Sequence, residues 1–397
     1  MKLSQRASEL KPSATLSIDA TAQQMIREGR DVINLSAGQP DFPTPDYVKN
    51  AGKEAIEKNF TKYTPVPGMV DFKEAIRKKF ERENNLEYAL NEVIVGAGGK
   101  QILYNAIQAL VEPGDEVIIP IPAWVSYVPM VQLAGGKPVF LETTFEELFQ
   151  MNPDKLRAAI TDRTKVLFMN SPSNPTGSVY DKEKLYEIGK VCAENNVFIL
   201  SDEIYEHLTY DNKTSAAMAS LDPSFKDITL TVNGLSKAFA MTGWRIGYGG
   251  GPQELIGAMT RLQGHQTSNA SSIGQYAGIT ALNSPMDTVI AMREAFQKRR
   301  DLAYDRLSSM KDIETFKPGG AFYIFPKVSA YFGKSYGNVT VNDSMIFCKI
   351  MLEEMLIAIV PGSPFGNDEH VRISYAVSED DINKSLDRFE EGLAKLS

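Results

Sequence analysis

Short apolar runs alternate with longer stretches of helical periodicity between about residues 90 and 250. Such short runs are typical of buried strands, whereas apolar residues three or four positions apart are typical of helices that face a core. The alternation predicts parallel strands joined by crossover helices, which is an α/β architecture. The runs that mark the predicted strands are EVIVGAGG (92–99), EVIIPIPAW (116–124), KVLFMNSPSNPTG (165–177), VFILSDEIY (197–205) and ITLTVNGLSK (228–237).

The pattern changes after about residue 275, where a long helical stretch leads to short strands interleaved with helices. This predicts a second, α+β unit. A chain of 397 residues also exceeds the length at which single cores stop growing, so we expect two domains. We predict a large domain over 46–280, a smaller one over 281–397, and an N-terminal segment, 1–45, that packs on the smaller domain.

Polar residues and glycines come directly after each predicted strand. Ligands of open α/β sheets bind outside the carboxyl ends of the strands, so these loops are expected to converge on one site. The candidate residues are Gly98, Gly99, Lys100, Trp124, Asn174, Asp202, Tyr205 and Lys237.

The segment VIVGAGGKQ reads as a strand, a glycine turn and the start of a helix, which together suit a phosphate. It is no nucleotide fingerprint, because Gln101 stands where a P-loop needs Ser or Thr and where a dinucleotide loop needs glycine. Arg245 would add a second cation if it turns back toward Lys237. A surface arginine is the alternative.

Lys237 follows an apolar strand, where burial would lower the pKa of its amine and favour Schiff-base chemistry. A single lysine is more often solvated. An amine, a phosphate site, an aromatic residue, an acid and a tyrosine together suggest pyridoxal phosphate, which needs a lysine for its aldehyde and an aspartate for its ring nitrogen.

Five motifs occur in order along most of the chain. They are YTPVPG (63–68), SPSNPTG (171–177), SDEIY (201–205), NGLSKAFAMTGWRIGY (233–248) and VRISYA (371–376). Together they closely resemble the class I pyridoxal-phosphate aminotransferases, and within them the bacterial aspartate aminotransferase subgroup that includes prephenate-using members. The resemblance implies transferase fold type I, with a mostly parallel seven-stranded sheet in the large domain.

The resemblance also implies roles for individual residues. Lys237 would be the Schiff-base lysine, Asp202 the partner of the pyridine nitrogen, and Asn174 and Tyr205 the donors to the ring hydroxyl oxygen; Lys237, Asp202 and Tyr205 form the catalytic set. The other cofactor contacts would be Trp124 on the ring and Gly98, Gly99, Lys100, Arg245 and the partner subunit's Tyr63 at the phosphate. The substrate contacts would be Arg372 and Gly38 at the α-carboxylate, Trp124 and Asn174, and Lys100, Thr15 and Ser13 at a distal carboxylate.

One departure from the family is visible. Many relatives carry a phosphate-binding serine three residues before the lysine, and this chain has Gly234 there. Lys100 is also ambiguous on its chemistry alone, since it suits the cofactor phosphate as well as a distal carboxylate.

The expected activity is reversible, ping-pong transfer of an amino group between aspartate or glutamate and a 2-oxo acid, 2-oxoglutarate or oxaloacetate, by a homodimer with shared sites. The alternatives are a prephenate or aromatic aminotransferase, or a C–S lyase or cyclopropane-forming synthase on the same scaffold. A regulatory ligand-binding module is disfavoured, because the first forty or so residues are too few and not basic enough for a DNA-binding extension.

Composition and residue spacing argue against several classes of partner and site. The net charge of −8 argues against a nucleic-acid partner, since phosphate neutralisation needs a basic surface. No signal peptide or membrane-length apolar run is visible, so we expect a cytoplasmic protein. Cys192 and Cys348 read as buried small hydrophobes. His207, His265 and His370 lack metal-ligand spacing, so no metal site is expected.

Overall fold

A computed structural model of the protein describes residues 1, 3–4, 7–8, 10 and 14–397. Ser13, predicted to contact a distal carboxylate, lies outside the described residues. The strands are β1 (Ile33–Asn34), β2 (Val93–Gly96), β3 (Glu116–Ile121), β4 (Lys137–Glu142), β5 (Thr164–Asn170), β6 (Phe198–Asp202), β7 (Thr229–Gly234), β8 (Gly247–Gly250), β9 (Tyr323–Ile324), β10 (Ser335–Tyr336), β11 (Val339–Thr340), β12 (Ile357–Ala358), β13 (Val360–Pro361) and β14 (Val371–Ser374).

The α-helices lie mostly between these strands. In chain order they are α1 (Ala14–Arg27), α2 (Asp46–Glu57), α3 (Val70–Asn84), α4 (Gly99–Leu110), α5 (Tyr127–Leu133), α6 (Pro153–Ala159), α7 (Lys182–Glu194), α8 (Pro223–Lys226), α9 (Gln253–Gly264), α10 (Ser272–Asn283), α11 (Asp287–Ser308), α12 (Ser344–Glu353) and α13 (Glu379–Ala394).

The central sheet has seven strands in the order β2-β8-β7-β6-β5-β3-β4. Strands β3 to β7 pair in parallel, and β8 runs antiparallel to both of its neighbours. The predicted α/β class with a mostly parallel seven-stranded sheet is therefore confirmed. In the sheet register Asp202 lies between Asn170 and Val232, so β5, β6 and β7 end side by side.

Both faces of this sheet are covered, which explains why its strands read as continuous apolar runs. On β5, Val166 and Phe168 pack in the core beneath α4 and α9, whereas Leu167 and Met169 pack on the opposite side with α7. The alternation of side chains along each strand thus supplies both cores from one apolar sequence.

The C-terminal part forms a second core around the antiparallel sheet β13-β14-β9. The N-terminal segment joins this core, because β1 pairs in parallel with β12 and places Ile33 opposite Ile357. Leu35 is also buried in the C-terminal core cluster. The domain boundaries near residues 46 and 281 stay predictions.

A buried arginine connects the long helix α11 to the loop after β6. Arg300 is fully buried, and its Nη1 and Nη2 donate to the two carboxylate oxygens of Asp211 at 2.8 Å each. Its guanidinium also lies 5.0 Å from the centroid of the Tyr210 ring. A planar fork can satisfy a carboxylate and stack on an aromatic face at once, which a lysine cannot.

Both cysteines are buried and form no disulfide. Burial raises the pKa of the Cys192 thiol to about 12, so this thiol stays protonated and unreactive at neutral pH. None of the helices in the described part of the chain combines the length and the apolar character of a membrane span.

Candidate active site

A cavity of about 480 Å³ opens where β5, β6 and β7 end. Loops from the large sheet, the N-terminal segment and β14 all contribute to its wall, as expected for the carboxyl edge of an α/β sheet. The predicted site residues that line it are Thr15, Gly38, Gly99, Lys100, Trp124, Asn174, Asp202, Tyr205, Lys237, Arg245 and Arg372.

Lys237 projects into this cavity from the loop after β7. Its Nζ donates to the backbone oxygen of Gly38 at 2.5 Å. Burial, together with the positive charges of Arg372 and Arg245, lowers the pKa of the Lys237 amine to about 8, although Asp202 opposes the shift. The amine is therefore neutral far more often near neutral pH than that of an ordinary lysine, and a neutral amine is a nucleophile and a base.

Asp202 is the last residue of β6 and is buried. Its Oδ2 accepts a hydrogen bond from the Tyr127 hydroxyl at 2.8 Å, and its backbone oxygen accepts one from Asn170 Nδ2 at 2.8 Å. Burial raises the pKa of this carboxyl to about 6, and the bond from Tyr127 acts against that rise. A buried carboxylate of this kind favours a cationic partner, such as a protonated ring nitrogen.

Arg372 lies on β14 and is buried at the cavity wall. Its Nη1 donates to Asn174 Oδ1 at 3.0 Å and its Nη2 to the backbone oxygen of Ser36 at 2.7 Å. Its Nε is buried and has no hydrogen-bond partner among the described residues. The guanidinium is therefore held in one orientation by two separate loops, and its fork suits a carboxylate.

The glycine turn before α4 brings a second arginine to the cavity. Gly98 has a φ of +85°, and a Cβ at this position would lie 2.6 Å from Nη2 of Arg245. Arg245 in turn donates to the backbone oxygens of Ala97 and Thr242 at 3.1 and 3.0 Å. Glycine is thus required here for the backbone angle and for the approach of the guanidinium to a helix N-terminus, which suits an anion.

Lys100 and Trp124 contact each other on the cavity wall, where Lys100 Nζ lies 4.8 Å from the centroid of the Trp124 ring. Partial burial and the charge of Arg245 lower the pKa of the Lys100 amine. Lys100 and Arg245 repel each other, and an anionic ligand that lies near both would stabilise the two positive charges.

The position of Gly234 has a steric explanation. A Cβ there would lie 3.0 Å from the backbone oxygen of Ile246 and 3.1 Å from Gly247 Cα, which belong to the neighbouring β8 region. A serine at this position would therefore require the backbone to shift. Ser236, which is buried, lines the cavity instead.

Tyr63 does not line the cavity of its own chain. Its side chain is 91% exposed, although it is a large aromatic residue that gains from burial. Within this chain the residue is thus available for a contact with another molecule.

Comparison with known proteins identifies the family of this chain. Residues 30–389 match the profile of the family described as "Aminotransferase class I and II". The chain is 47% identical over 397 residues to the aspartate/prephenate aminotransferase of Cereibacter sphaeroides, covering all of this chain and 99% of that protein. It is 45% identical to the aspartate aminotransferase of Bacillus subtilis, over the full length of both.

Solved structures agree. The aspartate aminotransferase from Rhizobium meliloti is similar over the whole of both chains, with a TM-score of 0.96 and 44% identity. The Thermus thermophilus aspartate aminotransferase with maleate covers 99% of this chain and 100% of its own, with a TM-score of 0.93 and 42% identity.

The chain belongs to the class I and II aminotransferases.

Several residues of this aminotransferase site were missed by sequence reasoning. Asp19 and Gln23 line the cavity from α1, as the predicted Thr15 does, and the spacing of four residues between these three positions on one helix is a signal that could have found the other two. Tyr127 and Tyr323 also line it. They come from apolar segments in which a tyrosine carries no mark of function.

A charged cluster lies outside the lining of the candidate site. Glu83, Glu206 and His207 offer possible metal-ligand atoms within 4.8 Å of one another. The buried ammonium of Lys79, however, already bonds Glu206 and donates to Asn84 Oδ1 at 2.7 Å. A fixed cation thus satisfies the buried carboxylate of Glu206, which lies next to Tyr205 in the chain.

Tyr127→Phe should raise the pKa of Asp202 above its value of about 6 by roughly one to two units. The variant loses a hydrogen bond to a carboxylate, which contributes about 1.5–3 kcal/mol, and one pKa unit corresponds to about 1.4 kcal/mol. A ¹³C NMR titration of the cofactor-free protein with labelled aspartate measures the shift, and the Asp202→Asn spectrum assigns the signal. Tyr180→Phe is the control, because the Tyr180 hydroxyl accepts from Met151 N instead. An unchanged Asp202 pKa in Tyr127→Phe would refute the prediction.

Proposed function

We propose that this aminotransferase moves the amino group between aspartate or glutamate and the 2-oxo acids 2-oxoglutarate and oxaloacetate, with pyridoxal phosphate as its cofactor. The observation that carries the proposal is the meeting, in one cavity, of the Lys237 amine of lowered pKa, the buried carboxylate of Asp202 and the guanidinium fork of Arg372. These three groups are the ones that amino transfer to and from a carboxylate-bearing substrate requires.

The donor set fits the cofactor. Lys237 would hold it covalently, Asp202 would face its ring nitrogen, and Asn174 and Tyr205 would donate to its ring oxygen. Trp124 would cover the ring face, and the phosphate would take the helix N-terminus at Gly98, Gly99 and Lys100 together with Arg245. When bound, pyridoxal phosphate supplies an aldehyde for amines and a cationic ring that withdraws electrons from the carbon next to the nitrogen.

The chain's own groups then perform the proton transfer and the orientation. The Lys237 Nζ, once it is freed by the incoming amine, takes the proton from the substrate's Cα as a general base, which a pKa of about 8 permits near neutral pH. The buried carboxylate of Asp202 would keep the ring nitrogen opposite it protonated, because a nearby negative charge favours the cationic form of that nitrogen.

The substrate's α-carboxylate is assigned to Arg372, with the backbone at Gly38. Asn174, which holds Nη1 of Arg372, fixes the plane of the guanidinium. The arginine and asparagine together define where the amino-acid end of the substrate lies, because a bidentate pair constrains both distance and angle.

The distal carboxylate is assigned to Lys100, with Thr15, which lines the same cavity, and Ser13 as further candidates. The Thermus protein supports this assignment, since its structure is with maleate, which carries two carboxylates. A charge-assisted hydrogen bond in a closed site contributes on the order of 1.5–3 kcal/mol, enough to select a dicarboxylate over an apolar amino acid.

Prephenate is a second candidate acceptor, because it also carries two carboxylates and because the Cereibacter relative is an aspartate/prephenate aminotransferase. The same two carboxylate contacts would serve aspartate and prephenate.

The proposal includes a homodimer in which the partner subunit's Tyr63 completes each phosphate site. The support is the 91% exposure of Tyr63 together with its position before TPVPG, a segment that two prolines stiffen. An aromatic hydroxyl on a stiff loop is suited to reach across an interface.

Purified protein loaded with pyridoxal phosphate should form glutamate from aspartate and 2-oxoglutarate, and Lys237→Ala should lower kcat by at least about 10²- to 10⁴-fold because it removes the base. Lys349→Ala, at a largely exposed lysine, is the matched control and should be unaffected. Borohydride fixation and mass spectrometry should place the cofactor on the peptide of Lys237.

With aspartate alone, the wild type should release about one equivalent of oxaloacetate per site and then stop. Continued product release without an acceptor would instead indicate a lyase. Normal turnover by Lys237→Ala would remove the lysine from its proposed role.

Lys100→Ala should lower kcat/KM for aspartate by on the order of 10- to 150-fold, and by much less for phenylalanine, because only aspartate loses a charge-assisted bond. Lys100→Arg keeps the charge and should retain most of the preference. The affinity for pyridoxal phosphate is measured in parallel. An equal loss for both amino acids, with weaker cofactor binding, would assign Lys100 to the phosphate.

Mixing Lys237→Ala subunits with Tyr63→Ala subunits should raise activity above that of either variant. Each hybrid dimer would contain one intact site, so statistical exchange would give roughly a quarter of wild-type activity by two-fold symmetry. Native mass spectrometry verifies exchange. Hybrids that form but gain no activity would show that the sites are not shared.

A further inference from the structure

Tyr323 connects the two halves of the site. It lies on β9 in the C-terminal sheet, is fully buried, and places its hydroxyl oxygen 2.9 Å from that of Tyr205. The two rings meet edge to face, with centroids 5.9 Å apart and an interplanar angle of 82°. The contact therefore joins a loop of the large sheet to the C-terminal core at one hydrogen bond.

The same tyrosine also supports the arginine of the site. The guanidinium carbon of Arg372 lies 4.5 Å from the centroid of the Tyr323 ring, within the range of a cation–π contact. The pairing of β14 with β9 places Tyr323 opposite Ser374, which is two residues from Arg372, so the side chains of Arg372 and Tyr323 lie on the same face of the sheet. One side chain thus contacts the residue proposed for the cofactor's ring oxygen and the residue proposed for the substrate's carboxylate.

Burial raises the pKa of both phenols, and Arg372 opposes that rise at each; at Tyr205 the neighbouring Tyr323 raises it further. The charged and titratable groups that influence Tyr205 are Tyr323, Arg372 and Asp202, with the Lys237 Nζ 5.7 Å from its ring centroid. Both tyrosines accordingly keep their hydroxyl hydrogens at neutral pH, so the two hydroxyl groups together have two hydrogens to donate.

The number of hydrogens available then decides which of the two hydroxyls donates the hydrogen bond. A phenolic hydroxyl has one hydrogen to donate and lone pairs that accept. If Tyr205 donates to the cofactor's ring oxygen, its hydrogen is used, and the 2.9 Å contact can exist only with Tyr323 as donor. Space around the Tyr323 hydroxyl is also limited, since a Cβ at Gly38 would lie 3.3 Å from it.

We propose that Tyr323 is a positioning residue: its hydroxyl donates to the oxygen of Tyr205, directs the hydrogen of Tyr205 toward the cofactor's ring oxygen, and its ring holds Arg372. This inference rests on the proposed function. The hydrogen bond polarises Tyr205, because a hydroxyl that accepts a hydrogen bond becomes a stronger donor.

The test is an absorbance titration against pH of the cofactor-loaded protein without amino acid. Its transition reports the proton held beside the ring oxygen, and a weaker donor to that oxygen leaves the proton more tightly held. Tyr323→Phe, which keeps the ring and removes the hydroxyl, should raise the midpoint by about 0.5–1 pH unit. Tyr205→Phe should raise it further, and adding Tyr323→Phe to Tyr205→Phe should change nothing more.

Two controls separate positioning from packing. Tyr210→Phe removes the hydroxyl of a buried tyrosine in the same core, which bonds Ala321 O, and should leave the midpoint unchanged. The dissociation constant for succinate should stay within about twofold in Tyr323→Phe, because the ring face beneath Arg372 remains.

An unshifted midpoint in Tyr323→Phe, or a shift that persists in the Tyr205→Phe background, overturns the inference. Weakened succinate binding in Tyr323→Phe also overturns it, since the hydroxyl would then hold substrate directly. A wild type that takes up cofactor but fails the aspartate assay overturns only the substrate proposal, because the titration uses no amino acid. A wild type that takes up no cofactor overturns both.

Discussion

The site depends on the shared register of the three central strands. Parallel pairing aligns Asn170, Asp202 and Val232, so the loops after β5, β6 and β7 leave the sheet at one edge. Asn170 converts this register into local contacts, because its side chain donates to the Asp202 backbone and accepts from the Asn174 backbone. A slip of one residue in β6 would turn the Asp202 side chain to the other face of the sheet. The position of the Asp202 carboxylate therefore depends on the pairing of the strands as well as on the presence of an aspartate.

Around this frame the cavity concentrates positive charge. The wall carries Lys100, Lys237, Arg245 and Arg372, with Asp202 and Asp19 as the acids. Asp19 is bonded to Asn34 Nδ2 at 2.6 Å and Asp202 to Tyr127. Burial and the charges of Arg372 and Arg245 lower the pKa of Lys237, burial and the charge of Arg245 lower that of Lys100, and an anionic ligand relieves this repulsion. A phosphate and a dicarboxylate are the kind of ligands that such a field attracts, although the whole chain is acidic.

Much of this site could be predicted because its main residues follow apolar strands. Asp202 and Lys237 are the clearest cases, since the carboxyl ends of parallel strands must meet whatever the loops do. Tyr127 and Tyr323 could not be found this way. Their partners, Asp202 and Tyr205, are 75 and 118 residues away in the chain, so the contacts arise only when separate elements pack. Gly234 likewise has its explanation in the backbone of a neighbouring strand, which no local pattern records.

The pairing of β1 with β12 has a consequence for how the protein is made. Ser36 and Arg372, which are hydrogen-bonded in the folded chain, are 336 residues apart. A ribosome releases Ile33 long before it releases Ile357, so the pairing of β1 with β12 has to wait until the C-terminal part of the chain has been made. Contacts of such high sequence separation form slowly. The large sheet can therefore assemble around Lys237 before the strand that carries Arg372 has been synthesised.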